Sequence, residues 1–270
     1  MTKPQETLLA LALEVLQSPT PAAKVEAAQK ALEALEQDAF IGNLALTPPL
    51  RPARPERPAL CPPSEVPRRR LGSIQGRAAL LHAVAHIEFN AINLAFDMAV
   101  RFAREADRLA LELREFVGDW IQVGGDEARH FGLIAARLEE LGFRYGDFPA
   151  HDGLWEAAEN TADNFLARLA VAPLILEARG LDVTPGMIRR LEGAGDEASA
   201  SILKIIYTDE IGHVACGERW FSTACGALQQ DPAPTFQALK AEYFAGSLKP
   251  PFNHEARDLA GLPRSYYDPF

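Results

Sequence analysis

Residues 73–142 run in helical pattern for about 70 positions without a proline. A straight helix of that length would measure roughly 105 Å, far beyond a compact domain built from 270 residues. The stretch must therefore fold back on itself. The READ segment, Arg104 to Asp107, is the expected turn.

The rest of the chain reads the same way. Residues 5–17 form a short apolar helix. Thr20 then offers a cap, and Pro21 a first helical residue, to an Ala/Glu/Lys/Leu helix ending near Gln37. Eight prolines in residues 48–67 forbid both helix and central strand there. Helical pattern returns over residues 155–179. The GLDVTPG stretch reads as a break, with a short helix over 185–191 beyond it. Gly193 and Gly195 mark a turn before a long helix from Asp196 to about Gln229, and a last helix is expected over 234–245, followed by an irregular tail. No alternating strand pattern of useful length occurs. The expected fold is all-α. Residues 1-47 form an N-terminal helical element, 48-72 a proline- and arginine-rich strap, 73-230 a four-helix bundle, and 231-270 a C-terminal helix and tail packed on the bundle.

Charge narrows the classes of partner. The net charge is −10, which excludes a dedicated nucleic-acid coat, since sequence-independent binding needs a basic face. Residues 48–77 run against that trend, with seven arginines against Glu56 and Glu65, or +5. These arginines are expected to pair with the acidic body; the alternative is a docking arm for an RNA or an acidic protein. No apolar run approaches the roughly 18 residues of a membrane span, and Glu14 interrupts the early apolar stretch, unlike a secretory signal. Cys61, Cys216 and Cys225 read as buried thiols in a reducing cytoplasm.

Two segments carry chemistry: Asp126-Glu127-Ala128-Arg129-His130 and Asp209-Glu210-Ile211-Gly212-His213. Glu and His three apart share one helix face, so both can reach one metal ion. A random chain of this composition holds roughly 0.03 Asp-Glu-x-x-His motifs; this one holds two. Glu88 and Glu177 lie in otherwise apolar helical stretches, where an uncompensated carboxylate costs several kcal/mol. One Glu from each of two helices and a Glu-x-x-His from each of two others make a dimetal carboxylate ligand set: Glu88, Glu127, His130, Glu177, Glu210 and His213. Facing ligands on an antiparallel pair are equidistant from the turn. Glu88 and Glu127 centre near 107, at the READ turn, and Glu177 and Glu210 between Gly193 and Gly195. Four carboxylates balance two divalent cations, and a donor set without thiolate suits iron, with manganese as the alternative. Asp126 and Asp209 are candidates to accept the outer ring N–H of a ligand histidine.

The segments PRRRLGSIQGRAALLHAVAHIEFNAINLAFD, YGDFPAHDGLWE, APLILEARGLDVTPGM, DEIGHVACGERWF and PFNHEARDLAGL resemble those of a bacterial ferritin-like family of unknown function. The likeness covers nearly the whole chain and implies a ferritin-like four-helix bundle whose metal ligands are the six residues above. DEARH is also similar to the motif of bacterial multicomponent monooxygenases. That likeness implies that Asp126 braces His213 and Asp209 braces His130; Gly212, where the first motif has Arg129, makes any role of the arginine one-sided.

The implied activity is that of a di-iron oxidoreductase. It would activate dioxygen to hydroxylate or oxidise an unidentified substrate, with electrons from a partner protein. Ferroxidase, peroxide-handling or storage chemistry is the alternative, as is a non-catalytic metal-binding protein. The superfamily includes a tRNA hydroxylase, which keeps tRNA among the substrates to consider. The extra helices, strap and tail favour a monomer or dimer over a cage. Tyr207, three before Glu210, is a candidate hydrogen-bonding or redox residue. Gly124 and Gly217 lie on the ligand faces, marking either a cavity or close packing. Pro173 should disturb the helix of Glu177. His82 and His86 are read as hydrogen-bonded core or interface histidines, and His151 and His254 as loop residues.

Overall fold

A computed structural model describes residues 6–65 and 71–268. The fold is all-α, and the described residues contain no strand beyond one isolated bridge between Leu60 and Ala150. Two compact units divide the described chain: residues 6–65 with 82–155, and residues 71–81 with 156–268.

The first unit begins with α1, Leu8–Gln17, and α2, Pro21–Glu36. Residue 5, the expected start of the first helix, lies outside the described residues. Thr20 caps α2 by accepting from the Ala23 N–H, with Pro21 at the first helical position as expected. Over its described residues the strap is irregular apart from a 3₁₀ turn at Pro63–Glu65. Arg51 pairs with Asp152 at 2.5 Å, and Arg54 donates to the Pro58 carbonyl at 2.6 Å. Arg68, Arg69 and Arg70 lie outside the described residues.

The 35-residue α3, Ile74–Arg108, supplies residues to both units. By length and composition α3 could cross a membrane, against the sequence expectation. However, 83% of its apolar window is buried inside the protein, the burial of a core helix. The helix runs straight through the READ segment. The turn falls over 109–112 instead, with Ala110 at φ 54°, followed by α4, Leu113–Glu140. The register explains the shift. Glu88 meets His130, Phe89 meets Phe131 and Phe96 lies under Gly124, so the two helices are antiparallel about a point near residue 110. α4 also packs against α2: a Cβ on Gly118 would touch Leu35, and one on Gly125 would touch Leu32.

A short α5, Gly153–Asn160, leads into the second unit. The uninterrupted helix expected over 155–179 is broken at 161–164. The Thr161 hydroxyl donates to the Ala157 carbonyl, and Asn164 caps α6, Phe165–Val171, by accepting from Ala167. Arg168, 1% exposed, seals the break by donating to the Thr161 hydroxyl and the Ala158 carbonyl. A π-helical segment, Ala172–Glu177, follows, then α7, Ala178–Gly193.

The GLDVTPG stretch does not break α7. Pro185 has no N–H for the Leu181 carbonyl, but the Asn253 side chain donates to that oxygen at 3.1 Å, so the helix continues. α8, Glu197–Ala227, starts at the Asp196 cap and lies along α7. Asp196 also binds Arg77 at 3.0 Å. α9, Pro232–Tyr243, packs on α6 and α8. The tail is more ordered than expected. It forms α10, His254–Leu259, and α11, Arg264–Tyr267, so His254 opens a helix rather than sitting in a loop.

Candidate metal centre

In the first unit, Glu88 on α3 faces Glu127 and His130 on α4. His130 Nδ1 lies 3.2 Å from Glu88 Oε2 and 3.5 Å from Glu127 Oε2. Their ligand atoms all lie within 4.8 Å of one another. Glu88 is 2% exposed, and Glu127 and His130 not at all. Two carboxylates held this close in the interior need a cation. Burial alone would lower the pKa of His130, but hydrogen bonds and charge attraction from Glu127 and Glu88 outweigh it and push it up to about 10. The imidazolium thus stands where a metal would supply the positive charge. Oxygen and imidazole donors without thiolate fit a divalent cation such as iron or manganese.

Close backbone packing holds this geometry. A Cβ on Gly124 would lie 2.5 Å from the Phe96 ring, and the rings of Phe89 and Phe131, next in sequence to the ligands Glu88 and His130, meet at a tilt of 58° with centroids 5.6 Å apart. Gly124 is therefore a close-packing residue. Gly217 in the second unit is another: a Cβ there would meet Pro173 Cγ at 2.5 Å and its Cβ closer still.

The second unit carries the other motif. Glu210 Oε2 and His213 Nδ1 on α8 are 3.8 Å apart, with side chains 12% and 5% exposed. Glu177, half-buried, is the last residue of the π segment Ala172–Glu177, which has Pro173 at its second position and packs on α8. As expected from Pro173, the helix is disturbed one turn before the carboxylate.

The flanking residues differ between the motifs. Asp126 lies 3.6 Å from Arg129 and accepts from Gln122 at 3.3 Å, whereas Asp209 is half-buried on α8. The Tyr207 hydroxyl accepts from Asn253 at 2.9 Å. His82 and His86 form a separate polar cluster, as expected. His82 Nε2 accepts the Gly146 N–H, and the two nitrogens of His86 face the Tyr145 hydroxyl at 2.9 Å and the Asn90 amide at 3.1 Å. Burial, then the neighbouring His82, lowers His86 to about 4, so it is neutral at physiological pH. His151 lies in the loop before α5, where its Nδ1 accepts from Gly153.

Sequence reasoning missed Asn253 and the buried Arg257–Asp182 pair, whose closest N···O distance is 2.7 Å. The available signal was an asparagine directly before a helical HEARDL run, a helix cap.

The profile of a family described as "Protein of unknown function (DUF455)" matches residues 17–268. The chain belongs to this family. An "Uncharacterized protein" of Haemophilus influenzae is 44% identical over 216 residues, which cover 80% of this DUF455 chain and 75% of that protein. No solved structure matches it.

Proposed function

We propose that this DUF455 protein is a ferritin-like dimetal-carboxylate oxidoreductase, with Glu88, Glu127 and His130 from one hairpin and Glu177, Glu210 and His213 from the other holding two iron ions. The observation that carries the reading is the buried Glu88–Glu127–His130 group, in which two carboxylates and an imidazole converge within metal-binding distance. The Asp-Glu-x-x-His motif recurs on α8, where Glu210 and His213 again lie side by side.

Each residue has a role in this reading. Four carboxylates neutralise two divalent ions, which removes the penalty of burying those charges. The two histidines complete each ion's donor set. Asp126 and Asp209 orient the ligand imidazoles by accepting their outer N–H groups. Tyr207 sits one turn before Glu210 and is held by Asn253. Bound iron would supply the reduction of dioxygen or peroxide, for hydroxylation or oxidation of an organic substrate, with electrons from a donor protein. Of the three cysteines expected to be buried only Cys225 is, Cys61 and Cys216 being half-buried; as free thiols they support assignment to the cytoplasm.

The strap arginines favour a structural role over an RNA-docking one. Arg51 is engaged by Asp152, and Arg77, just beyond the strap, by Asp196. Elemental analysis of protein purified without chelator, with absorption spectra before and after oxygen exposure, tests the reading. Two iron ions per chain and an oxygen-dependent near-ultraviolet band are the expected result. A mass of 12 or 24 subunits would redirect the function to storage, and protein that binds no divalent metal would refute it.

A further inference from the structure

Glu177 sits where its helix is weakest. Pro173 removes one backbone donor in the π segment before it, and Pro185 removes another in α7 after it. A ligand on such a segment needs outside support to keep its direction. Part of that support is Gly217, which lets α8 approach Pro173 closely.

The other part comes from the tail. Asn253 Nδ2 carries two N–H groups, and each has a defined acceptor. One is the Leu181 carbonyl at 3.1 Å, the oxygen that Pro185 leaves without a backbone donor. The other is the Tyr207 hydroxyl at 2.9 Å. Leu181 lies four residues after Glu177 and Tyr207 three before Glu210, so each contact falls one turn from a ligand, on that ligand's own helix face.

The remaining polar groups of Asn253 fix the amide itself. Its Oδ1 accepts from the Ala256 N–H as the cap of α10, and its N–H donates to Asp182 Oδ1 at 2.9 Å. Asp182 is bound by Arg257, which also donates to the Ala178 carbonyl, the residue after Glu177. Arg257 in turn stacks on Tyr267, 4.4 Å from its ring centroid. The amide is thus held on a rigid base.

We infer that Asn253 is a positioning residue for the Glu177–Glu210–His213 half of the metal centre, its side-chain amide tying the helix of Glu177 to the helix of Glu210 and His213. This rests on the metal reading above.

The test is a Co(II) titration of the full-length protein, read by visible ligand-field absorption and paired with thermal melting of the metal-free chain. Asn253→Ser keeps a capping oxygen for α10 but loses the two donors. Tyr207→Phe removes only one acceptor. The wild-type chain should take up two Co(II) ions. Asn253→Ser should weaken one of them about 10-fold and shift its absorption bands, with Tyr207→Phe changing the same ion by less. Wild-type affinity and bands in Asn253→Ser would overturn the inference. Should Asn253→Ser prove too unstable to titrate, unchanged Co(II) binding by Tyr207→Phe does the same. Wild-type protein that takes up no Co(II) refutes the metal reading, and the inference falls with it.

Discussion

The α3–α4 and α7–α8 hairpins carry the same ligand pattern, and their first helices end in the same motif. In α3, Leu111 N–H returns to the Ala106 carbonyl and Ala110 N–H to Asp107; in α7, Asp196 N–H returns to Leu191 and Gly195 N–H to Glu192. The residue in left-handed conformation is Gly195 at φ 73° in one and Ala110 at φ 54° in the other. Beyond that, the hairpins are held differently. Along α3 and α4 the helices are unbroken by proline, and rings and glycines interlock beside Glu88 and His130. Along the π segment and α7, Pro173 and Pro185 weaken the run, and a tail segment some 70 residues away supplies the donor that Pro185 lacks. One hairpin sustains its ligands with its own packing, while the other depends on the C-terminal segment.

The largest expected effect tests whether the halves are equal partners. Glu127→Ala and Glu210→Ala should each lose bound metal by elemental analysis. Glu127→Ala should also destabilise the metal-free protein more, by about 3 kcal/mol, because it strips a partner from fully buried His130. Equal losses in urea melts would break the asymmetry.

Next comes the weak point of the first unit. Lys24 on α2 is fully buried and donates to the Val15 carbonyl at 2.7 Å; burial lowers its pKa from 10.5 to about 7. Between those values the unfolded chain binds more protons than the folded one, so wild-type stability must rise with pH. Lys24→Met should therefore be more stable than wild type at pH 7 by a few kcal/mol, an advantage that shrinks toward pH 10. Urea midpoints at both pH values check it, and an advantage that grew with pH would contradict the burial argument.

Overpacking sharpens the contrast further. Gly217→Ala pushes a methyl group against the rigid ring of Pro173 and should cost about 2 kcal/mol, a fall in Tm of roughly 4–8 °C. It should also loosen Co(II) binding at the Glu210–His213 pair. A melting temperature equal to wild type would show that the π segment yields freely.

The smallest effects come from the turns. Ala110→Gly should stabilise by about 1 kcal/mol and Gly195→Ala destabilise by a similar amount, since only glycine adopts positive φ without crowding at Cβ. Opposite shifts in thermal melts are the expected result; shifts of the same sign would mean the two turns are not equivalent.

The ligand motifs were legible because helix geometry is local. Residues three apart share a face in any helix, so Glu127 with His130 and Glu210 with His213 came together as expected. The α7–α8 turn was legible because Gly195 announces it. The α3–α4 turn was misplaced because Ala110 carries no turn signal and because the facing pair is Glu88 with His130. The TADN break escaped notice although Asn164 is an ordinary helix cap, its signal masked by helix formers on both sides. In the other direction, Pro185 was over-read: a proline weakens a helix locally, and nothing local shows that Asn253 satisfies the freed carbonyl.

Periodicity, capping residues and the repeated Asp-Glu-x-x-His were enough to specify an all-α chain and to single out the acidic and histidine residues worth burying, because those signals act within one or two turns of helix. Which residue faces which across α3 and α4, why Gly124 and Gly217 have no side chain, and how a proline-weakened helix stays whole were decided only by packing between distant segments. Such contacts depend on distances of a few ångströms between residues tens of positions apart, and local spacing along a chain carries no record of them.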